Sequence, residues 1–594
     1  MFSRIKNLFL YLDKKQKKNF AILQLVVVLN SFLEILGVSS ILPFISLVSN
    51  KNIVYENDTF SKIYIFFNFI DVNDFIIFSG FLVFFFLLIS TLSSIVTIAL
   101  LANFANQISA ELSNRLFKYY INQKWIYHLN TSSSLILNNI HSECSRVTGG
   151  IVDPLMQMIS RICFSIPMCI GIFLVNPLVA IFGILIFLFS YFIIYKVIRK
   201  KVYNNGVILT KNSEEIYKII SEGFGGIKNV ILSNSRFYFT EKFNSRSFAL
   251  AKASALNKNL QSIPKFLIEF LAFGCVVILI LFLYSNSNDN FQTVIPQIAF
   301  FALAGYKLIP SFQQIYMNIT NIKANISALD SIENDLRNSV ENRIIEDEIK
   351  ENFKNFKNIT LKNINFSFKK RKEFKISDLN LNVNAKSVVG IAGQSGSGKS
   401  TIINLILGLL EPSNGNIHID DKILNNKNIK SWQKNIGYVP QSIFLCDGTL
   451  KENIGFGIDY KNIKDELVEN AIKQAELSDF VNKLPEKLDT KIGERGVKLS
   501  GGQQQRVGIA RALYHDPNIL IFDEATSSLD EKTEKNIMNA INKFSRLKTI
   551  IIIAHRTNTL RKCDNIFIIE NGSVVNEGNF ESLFEKKTIY KFKK

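Results

Sequence analysis

The sequence has little cysteine and little charge for its length. Its 594 residues include six Cys, none of them in a CxxC pair, which excludes a disulfide scaffold and a zinc ribbon. Only 20% of the residues are charged, whereas 47% are hydrophobic and 50 are Phe, which excludes long disorder. The positive mean hydropathy of +0.16 also disfavours a wholly soluble protein. These values predict a membrane protein with an attached soluble part.

Charge is completely missing from one long stretch in the first half of the chain. No Asp, Glu, Lys or Arg occurs between Asp74 and Glu111, whereas a bilayer core is crossed by only ~20 apolar residues. With five further apolar stretches, the sequence predicts six membrane-spanning helices in total. They cover residues 21–47, 75–101, 150–174, 178–195, 264–283 and 294–317. No A-x-A cleavage site follows the first stretch, so we expect a retained helix rather than a signal peptide.

Lysine and arginine are distributed unevenly around these stretches. The first eighteen residues contain six of them and segment 196–258 contains twelve, whereas the first external connection has only Lys51 and Lys62. Since such residues accumulate on the cytoplasmic side, both chain termini are predicted to face the cytoplasm. This topology explains part of the net charge of +19 without a nucleic-acid partner. Residues 60–70 could form an interfacial amphipathic helix or a buried loop segment.

The composition changes after the sixth apolar stretch. Residues 321–354 are charged and acidic, which predicts the end of the last helix and a linker. Short β-branched runs then alternate with helical runs, the pattern of an α/β domain. We therefore predict a helical polytopic membrane domain over 1–320 with long cytoplasmic extensions, a linker over 321–354 and an α/β domain over 355–594.

A glycine-rich segment follows the apolar run 388–392 and precedes a helical run over 401–410. This strand–loop–helix context is the one that a phosphate-binding loop requires, because backbone N–H groups and the helix N-terminus surround the phosphates. Lys399 is predicted to contact the phosphates, and Ser400 to ligate Mg²⁺. The residues assigned to nucleotide binding here are Gly393, Gln394, Ser395, Gly396, Ser397, Gly398, Lys399, Ser400 and Thr401.

Two further elements have the chemistry of phosphoryl transfer. An apolar strand over 519–522 ends in Asp523, placed to hold Mg²⁺, and Glu524, placed to polarise the attacking water. Small residues at a predicted helix start form a second phosphate-facing element. They are Ser500, Gly501, Gly502 and Gln503, preceded by Leu499. Because the chain already has one phosphate loop, this element makes sense if it covers the nucleotide of a partner subunit.

The sequence LSGGQ at 499–503, between the other two motifs, resembles the signature of ATP-binding cassette (ABC) ATPases, and the similarity extends over about 355–590. The resemblance implies that Phe368 stacks on adenine, that Gln441 contacts Mg²⁺ and senses the membrane part, and that His555 contacts the γ-phosphate. Residues 490–496 are similar to the exporter loop before the signature, and residues 527–530 to the D-loop. Every residue type that hydrolysis needs is present, with Glu524, His555 and Gln441 in the catalytic roles.

Six spans followed by one cassette resemble a half-transporter of the ABC exporter class. Glu34-x-x-Gly37 followed by Pro43-Phe44 resembles bacterial flippases of lipid-linked oligosaccharides. These resemblances imply a homodimer in the bacterial inner membrane that binds ATP and Mg²⁺, each nucleotide lying between Lys399/Ser400 of one chain and Ser500/Gly502 of the other. They further imply coupling helices near 118–129 and 221–232, the alternative being ordinary connecting helices. A multidrug, lipid or peptide exporter remains an alternative function, as does an ATP-gated channel or regulatory subunit.

Several ionisable residues lie within the predicted spans, where they mark functional sites by default. Lys265 and Lys307 could face a central cavity and attract an anionic headgroup. In the alternative interpretation, Lys265 extends to the interface and Lys307 pairs with an acidic residue, Glu269 or Glu34. Asp153 and Arg161 are further intramembrane ionisable residues.

Overall fold

The computed structural model describes residues 2–175, 177–286, 291–341, 353–368, 371–493, 496–525, 534–535, 538–539, 543–554 and 556–585. Two compact units make up the chain. The first consists of Met1–Gln123 and Tyr127–Ile344, and the second of Lys124–Ile126 and Ile345–Lys594.

The first unit is helical. Its helices are α1 (Phe2–Leu10), α2 (Lys14–Ser39), α3 (Ile41–Ser49), α4 (Ile53–Glu56), α5 (Asp58–Phe66), α6 (Val72–Ile121), α7 (Trp125–Asn130, shared with the second unit), α8 (Ser133–Leu137), α9 (Cys144–Val147), α10 (Asp153–Val175), α11 (Pro177–Gly225), α12 (Ile227–Leu232), α13 (Arg236–Asn286) and α14 (Phe291–Glu341). Two π-helical segments, Asn138–Glu143 and Thr148–Val152, join α8, α9 and α10.

Three helical segments of the described chain are long and apolar enough to cross a membrane: Lys14–Ser49, Val72–Ile121 and Ser133–Leu174. Helices also run through the other three predicted spans, within α11, α13 and α14. The count of six spans stays a prediction. The 50 residues of α6 correspond to about 75 Å at 1.5 Å per residue, far more than the ~30 Å of a bilayer core. This helix therefore extends well beyond any membrane it crosses.

The last helix extends into the charged segment that follows the sixth predicted span. Residues 321–341, where the sequence predicts the end of the last helix and the start of the linker, continue α14 without a break. Its buried side chains recur every three or four positions and pack into an apolar core with α1 and α6. They are Ile322, Ile326, Leu329, Ile332 and Leu336. This stripe, rather than the charged face, decides the local structure.

Close backbone approach holds α11 against α14. A Cβ at Gly206 would overlap the carbonyl oxygen of Ala324, so only glycine fits at this crossing. Next to it, fully buried Glu143 lies 3.0 Å from Arg146 Nη1, and Thr210 accepts a 2.7 Å hydrogen bond from the same nitrogen. A buried charge needs such partners, since an unpaired one is strongly destabilising.

The described residues of the second unit form ten strands: β1 (Asn358–Phe368), β2 (Arg371–Asn384), β3 (Val388–Gly393), β4 (Asn414–Ile419), β5 (Lys422–Ile423), β6 (Ile436–Val439), β7 (Ile519–Asp523), β8 (Thr549–Ile553), β9 (Asn565–Glu570) and β10 (Ser573–Gly578). Its helices are α15 (Lys399–Ile406), α16 (Ile429–Gln433), α17 (Leu450–Ile454), α18 (Asp465–Gln474), α19 (Ser478–Asn482) and α20 (Gly501–Leu513). Fully buried Trp432 packs beneath α15 and donates to Ile406 O at 2.7 Å.

Two sheets organise this unit. An antiparallel sheet has the order β2-β1-β4-β5, and a six-stranded sheet has the order β10-β9-β3-β8-β7-β6. Neighbouring strands from β9 to β6 are parallel, so their carboxyl ends meet at one edge. Ligands of open α/β sheets bind at this edge. The predicted fold class, a helical membrane domain followed by an α/β cassette, is confirmed.

Three residues of the predicted coupling segment 118–129 belong to the second unit. These are Lys124–Ile126. Within that unit, Lys124 Nζ lies 2.7 Å from Glu411 Oε1. An exposed ion pair of this kind contributes little stability.

Candidate nucleotide-binding site

The glycine-rich loop lies between the buried strand β3 and helix α15. Gly393 ends the strand, and a Cβ there would overlap the Ile569 carbonyl oxygen. Gly396 and Gly398 have φ values of +81° and +113°, a region of backbone conformation that favours glycine. The loop therefore keeps its shape because these positions lack side chains, and Gly398 directly precedes α15 as its N-cap.

Lys399 is held within this loop. Its side chain is 5% exposed, and Nζ donates to Gly393 O at 3.0 Å and to Gln394 O at 2.8 Å. An ammonium has three N–H groups, so a third donor remains for a ligand. Burial lowers the pKa of Lys399, while the nearby charges of Glu524 and Asp523 act to raise it.

Ser397, Ser400 and Thr401 complete the loop and the first turn of α15. Ser397 Oγ is buried and has no hydrogen-bond partner in the described part of the chain. Ser400 is exposed, whereas Thr401 is buried. A phosphate group fits this site for three reasons. The Ser397 hydroxyl lacks a partner among the described residues, the glycine at the end of β3 leaves no room for a side chain, and the N-terminus of α15 favours an anion. Gln394 and Ser395 are exposed at the rim of this cradle.

Both predicted carboxylates lie at the carboxyl end of β7. Asp523 Oδ2 accepts a 3.2 Å hydrogen bond from Tyr438 OH, and Glu524 Oε2 accepts one of 2.8 Å from Gln441 Nε2. Glu524 has φ +50°, a conformation uncommon for a residue other than glycine, and its N–H bonds to Ile553 O. The carboxylate predicted to hold Mg²⁺ and the carboxylate predicted to polarise water are thus neighbours at the end of one strand.

Tyr438 and Arg511 take part in this site but were not predicted from the sequence. Burial and the Asp523 carboxylate raise the pKa of Tyr438, which keeps its hydroxyl protonated as a donor. Arg511 on α20 donates to Phe444 O at 2.6 Å and to Asn453 O at 2.7 Å. It therefore ties the signature helix to the segment that follows Gln441. The pairing of parallel β6 and β7 is the signal that could have identified Tyr438.

The signature segment forms the start of α20. Ser500 Oγ accepts from Gln503 N at 3.3 Å, and Gln503 Oε1 accepts from Ser500 N at 2.8 Å, a reciprocal capping box. Ser500 and Gly501 are exposed, and a Cβ at Gly501 would contact nothing within 4 Å. Gly502 follows in the same turn. The N-terminus of α20 is thus exposed on the surface of the cassette, and there is free space beside Gly501.

The roles of the remaining predicted residues of the cassette stay predictions. Phe368 ends β1, is half-buried and contacts Phe366 edge-to-face with ring centroids 4.9 Å apart. His555, the predicted D-loop 527–530, and residues 494–495 of the predicted exporter loop lie outside the described residues.

The two predicted cavity lysines have different surroundings. Lys265 Nζ lies 3.7 Å from Glu269 Oε1, which also accepts from Gln313 Nε2 at 3.3 Å. Lys307 is exposed on α14. A cavity of about 330 Å³ does exist in the membrane unit, but its charged lining residues are Glu34, Asp153 and Arg161. Glu34 pairs with Arg161, whose Nη1 is 3.8 Å from Oε2, rather than with Lys307.

Comparisons with known proteins match the two units separately. Residues 21–306 match the family described as ABC transporter transmembrane region, and residues 376–527 match the family described as ABC transporter. Over 233 residues the chain is 41% identical to an uncharacterised ABC transporter ATP-binding protein of Sinorhizobium fredii, covering 39% of each chain. It is 27% identical to the heterocyst differentiation ATP-binding protein HepA of a Nostoc species, covering 80% of this chain and 77% of HepA.

A solved structure of a bacterial Atm1-family ABC exporter with ATP bound has the same fold. The TM-score is 0.76 at 21% identity, covering 96% of this chain and 97% of that one. By contrast, the alignment spans only about two fifths of the Sinorhizobium relative. One polypeptide therefore contains a region that matches the ABC transporter transmembrane region and a region that matches the ABC transporter family, and its fold is that of an ABC exporter.

Proposed function

We propose that this protein hydrolyses ATP and uses the reaction to export a substrate across a membrane. The observation that supports this most strongly is the Gln441–Glu524 hydrogen bond beside the phosphate loop. It joins the carboxylate suited to activating water to the residue suited to sensing the membrane part. A channel or regulatory subunit would not need this complete set of groups, so we regard that alternative as weaker.

The residues of the site divide the chemistry between them. Lys399 and Ser400 would hold the triphosphate and Mg²⁺, together with Asp523 and Gln441. When bound, Mg²⁺ neutralises charge on the phosphates. Glu524 would orient water by accepting its hydrogen bond, while Gln441 fixes the position of Glu524 Oε2. His555 would contact the γ-phosphate, and Phe368 the adenine.

A complete site requires a second copy of the chain in this proposal. Ser500 and Gly501 are exposed at the start of the 13-residue helix α20, whose N-terminus favours anions. This surface would cover the nucleotide held by Lys399 of the partner. Two identical sites would follow, since each chain supplies one phosphate loop and one signature.

As the substrate we propose a lipid-linked oligosaccharide or a related anionic lipid, flipped across the bacterial inner membrane with both chain termini and the ATPase domain on the cytoplasmic side. Lys307 supports this, because it is exposed on α14 within the sixth predicted span and could bind an anionic headgroup. The Glu34-x-x-Gly37 and Pro43-Phe44 pattern of the first span supports it as well. Lys265 contributes less, because it lies beside Glu269.

A flipping assay tests the substrate. Proteoliposomes containing a fluorescent lipid-linked oligosaccharide would show ATP-dependent transfer between leaflets, and Lys307→Ala would slow it about tenfold by removing the headgroup contact. Lys252→Ala, at an exposed position of α13, is the matched control and should flip normally. Unchanged flipping by Lys307→Ala would remove that residue from the mechanism.

Export of an amphipathic drug, lipid or peptide is the second candidate. The cavity with two carboxylates and one guanidinium favours it, since this lining disfavours an anionic headgroup. An active ATPase that does not flip the lipid, but whose turnover rises with amphipathic compounds, would establish this alternative. Absence of any ATPase activity would contradict both candidates.

A further inference from the structure

The membrane unit contains a cavity of about 330 Å³ between α2, α6, α10 and α14. This volume falls at the lower end of the range for small-molecule sites. Its lining on α6 extends from Ser94 to Asn106, a separation of twelve positions or about 18 Å along the helix axis. The cavity is therefore an elongated slot, too large for a single inorganic ion.

One end of the slot carries Asp153. Both of its carboxylate oxygens accept from Gln157 Nε2, at 3.1 and 3.0 Å, and Gln157 Oε1 accepts from Gln314 Nε2 at 2.9 Å. The amides orient this carboxylate without neutralising it. Arg161 is the single cation among the described lining residues, and it lies eight positions further along α10, about 12 Å away along the axis.

The opposite end of the slot has no net charge. Glu34 Oε1 accepts from Ser94 Oγ at 2.7 Å and from Asn30 Nδ2 at 3.1 Å. Arg161 Nη1 lies 3.8 Å from Glu34 Oε2, close enough to compensate its charge but too far for a hydrogen bond. The guanidinium, whose side chain is 29% exposed, keeps N–H donors available to the slot.

Apolar side chains of α6 connect the two ends. These are Ile98, Leu101, Ala102 and Ala105. An uncompensated carboxylate within a candidate span is costly, and residues of this kind mark ligand pathways in membrane proteins. We propose that the slot binds an organic ammonium ion, with its charged nitrogen at Asp153 and its hydrocarbon chain along α6. This ligand differs from the anionic lipid proposed above as the substrate, because the site favours a positive charge.

Direct binding measurements with three ligands of equal chain length test the proposal. Octylamine, octanol and octanoate are titrated calorimetrically, without ATP and at constant ionic strength, into the full-length protein in nanodiscs, with empty nanodiscs subtracted. Octylamine should bind saturably and at least tenfold more tightly than octanol, and octanoate should not bind. Replacing sodium by potassium in the buffer should not change octylamine binding; displacement by either ion would assign the site to an inorganic cation and overturn the proposal.

Two substitutions locate the site. Asp153→Asn keeps the size and an acceptor for Gln157 but removes the charge, so octylamine affinity should fall at least tenfold. Asp58→Asn removes an equal charge from exposed α5 and should not affect binding. Arg161→Gln should tighten octylamine binding several-fold, which keeps the proposal testable if Asp153→Asn does not fold. Equal octylamine binding by Asp153→Asn, no saturable binding by the unmodified protein, or weaker binding by Arg161→Gln would overturn it.

Discussion

The cassette and the membrane unit assemble their polar groups in different ways. In the cassette, residues within one short loop, Gly393 to Ser400, form a cradle because the backbone itself supplies most of its contacts. In the membrane unit, Glu34, Ser94, Arg161 and Gln314 come from four helices and meet only through helix packing. A sequence motif can therefore identify the cassette site, whereas the membrane site can be identified only from the folded structure.

Glycine shows the same contrast. In the cassette, glycines provide unusual backbone angles, as Gly396 and Gly398 do. In the membrane unit, Gly206 lies within a helix and provides space for a neighbouring backbone. Substitution should therefore affect chemistry in the cassette and helix packing in the membrane unit, and three predictions test this difference.

The largest effect is expected from Glu524→Gln in the cassette. Glutamine retains an oxygen that can accept from Gln441 but loses the negative charge that polarises water, so ATP turnover should fall by ~10²-fold or more while ATP binding persists. Turnover and nucleotide affinity are measured on the same preparation. Glu469→Gln, exposed on α18, should turn over normally. A Glu524→Gln protein with normal turnover would contradict the assignment.

A smaller effect, on stability, is expected from Gly206→Ala in the membrane unit. The added Cβ would overlap the Ala324 carbonyl oxygen, which belongs to a backbone that cannot rotate away, so α11 and α14 must separate. Overpacking of this kind costs about 1–3 kcal/mol. Thermal unfolding in detergent should show a lower midpoint. Gly171→Ala, with nothing within 4 Å of its Cβ, should not lower the midpoint; equal midpoints for the two variants would disprove the crossing.

The smallest effect is expected from Tyr438→Phe. It removes one hydrogen bond to Asp523, worth about 0.5–1.5 kcal/mol, so the Mg²⁺ concentration that supports half-maximal ATPase activity should rise up to about tenfold. Tyr460→Phe removes a similar hydrogen bond to Asp489 on the cassette surface and should leave the Mg²⁺ requirement unchanged. If both variants required the same Mg²⁺ concentration, Tyr438 would have no role in positioning Asp523.

The sequence predicted the fold class and the phosphate loop because both depend on local patterns. Apolar length identifies candidate spans, and the strand–loop–helix order identifies the cradle around Lys399. It placed the end of the last helix and the linker together in 321–354 without the boundary between them, since the buried stripe that continues α14 lies beneath a charged face. It also missed Tyr438, whose partner Asp523 is 85 positions away, and Arg511, whose carbonyl partners are 58 and 67 positions away.

The contacts within the slot of the membrane unit could not be predicted from the sequence either. Asp153 and Arg161 were noted as intramembrane charges, but nothing in their spacing placed Glu34 beside Arg161 or Gln314 beside Gln157. Such pairs depend on how α2 and α14 pack against α10. The lysines favoured from the sequence, Lys265 and Lys307, do not line this slot.

The central claim is that each ATP site is shared between two chains, and one measurement of paired variants tests it directly. Lys399→Ala disables the phosphate loop, and Gly501→Glu places a negative charge at the start of α20, where an added Cβ has nothing within 4 Å among the described residues. Dimers are isolated with two affinity tags. One pairs a Lys399→Ala chain with a Gly501→Glu chain, and the other pairs a chain carrying both changes with an unmodified chain.

Shared sites predict that the first dimer keeps one intact site, whereas both sites of the second dimer carry one defect. The ATPase turnover of the first dimer should therefore be several-fold higher. Higher turnover in the second dimer would show that each chain hydrolyses ATP within itself and would contradict the account.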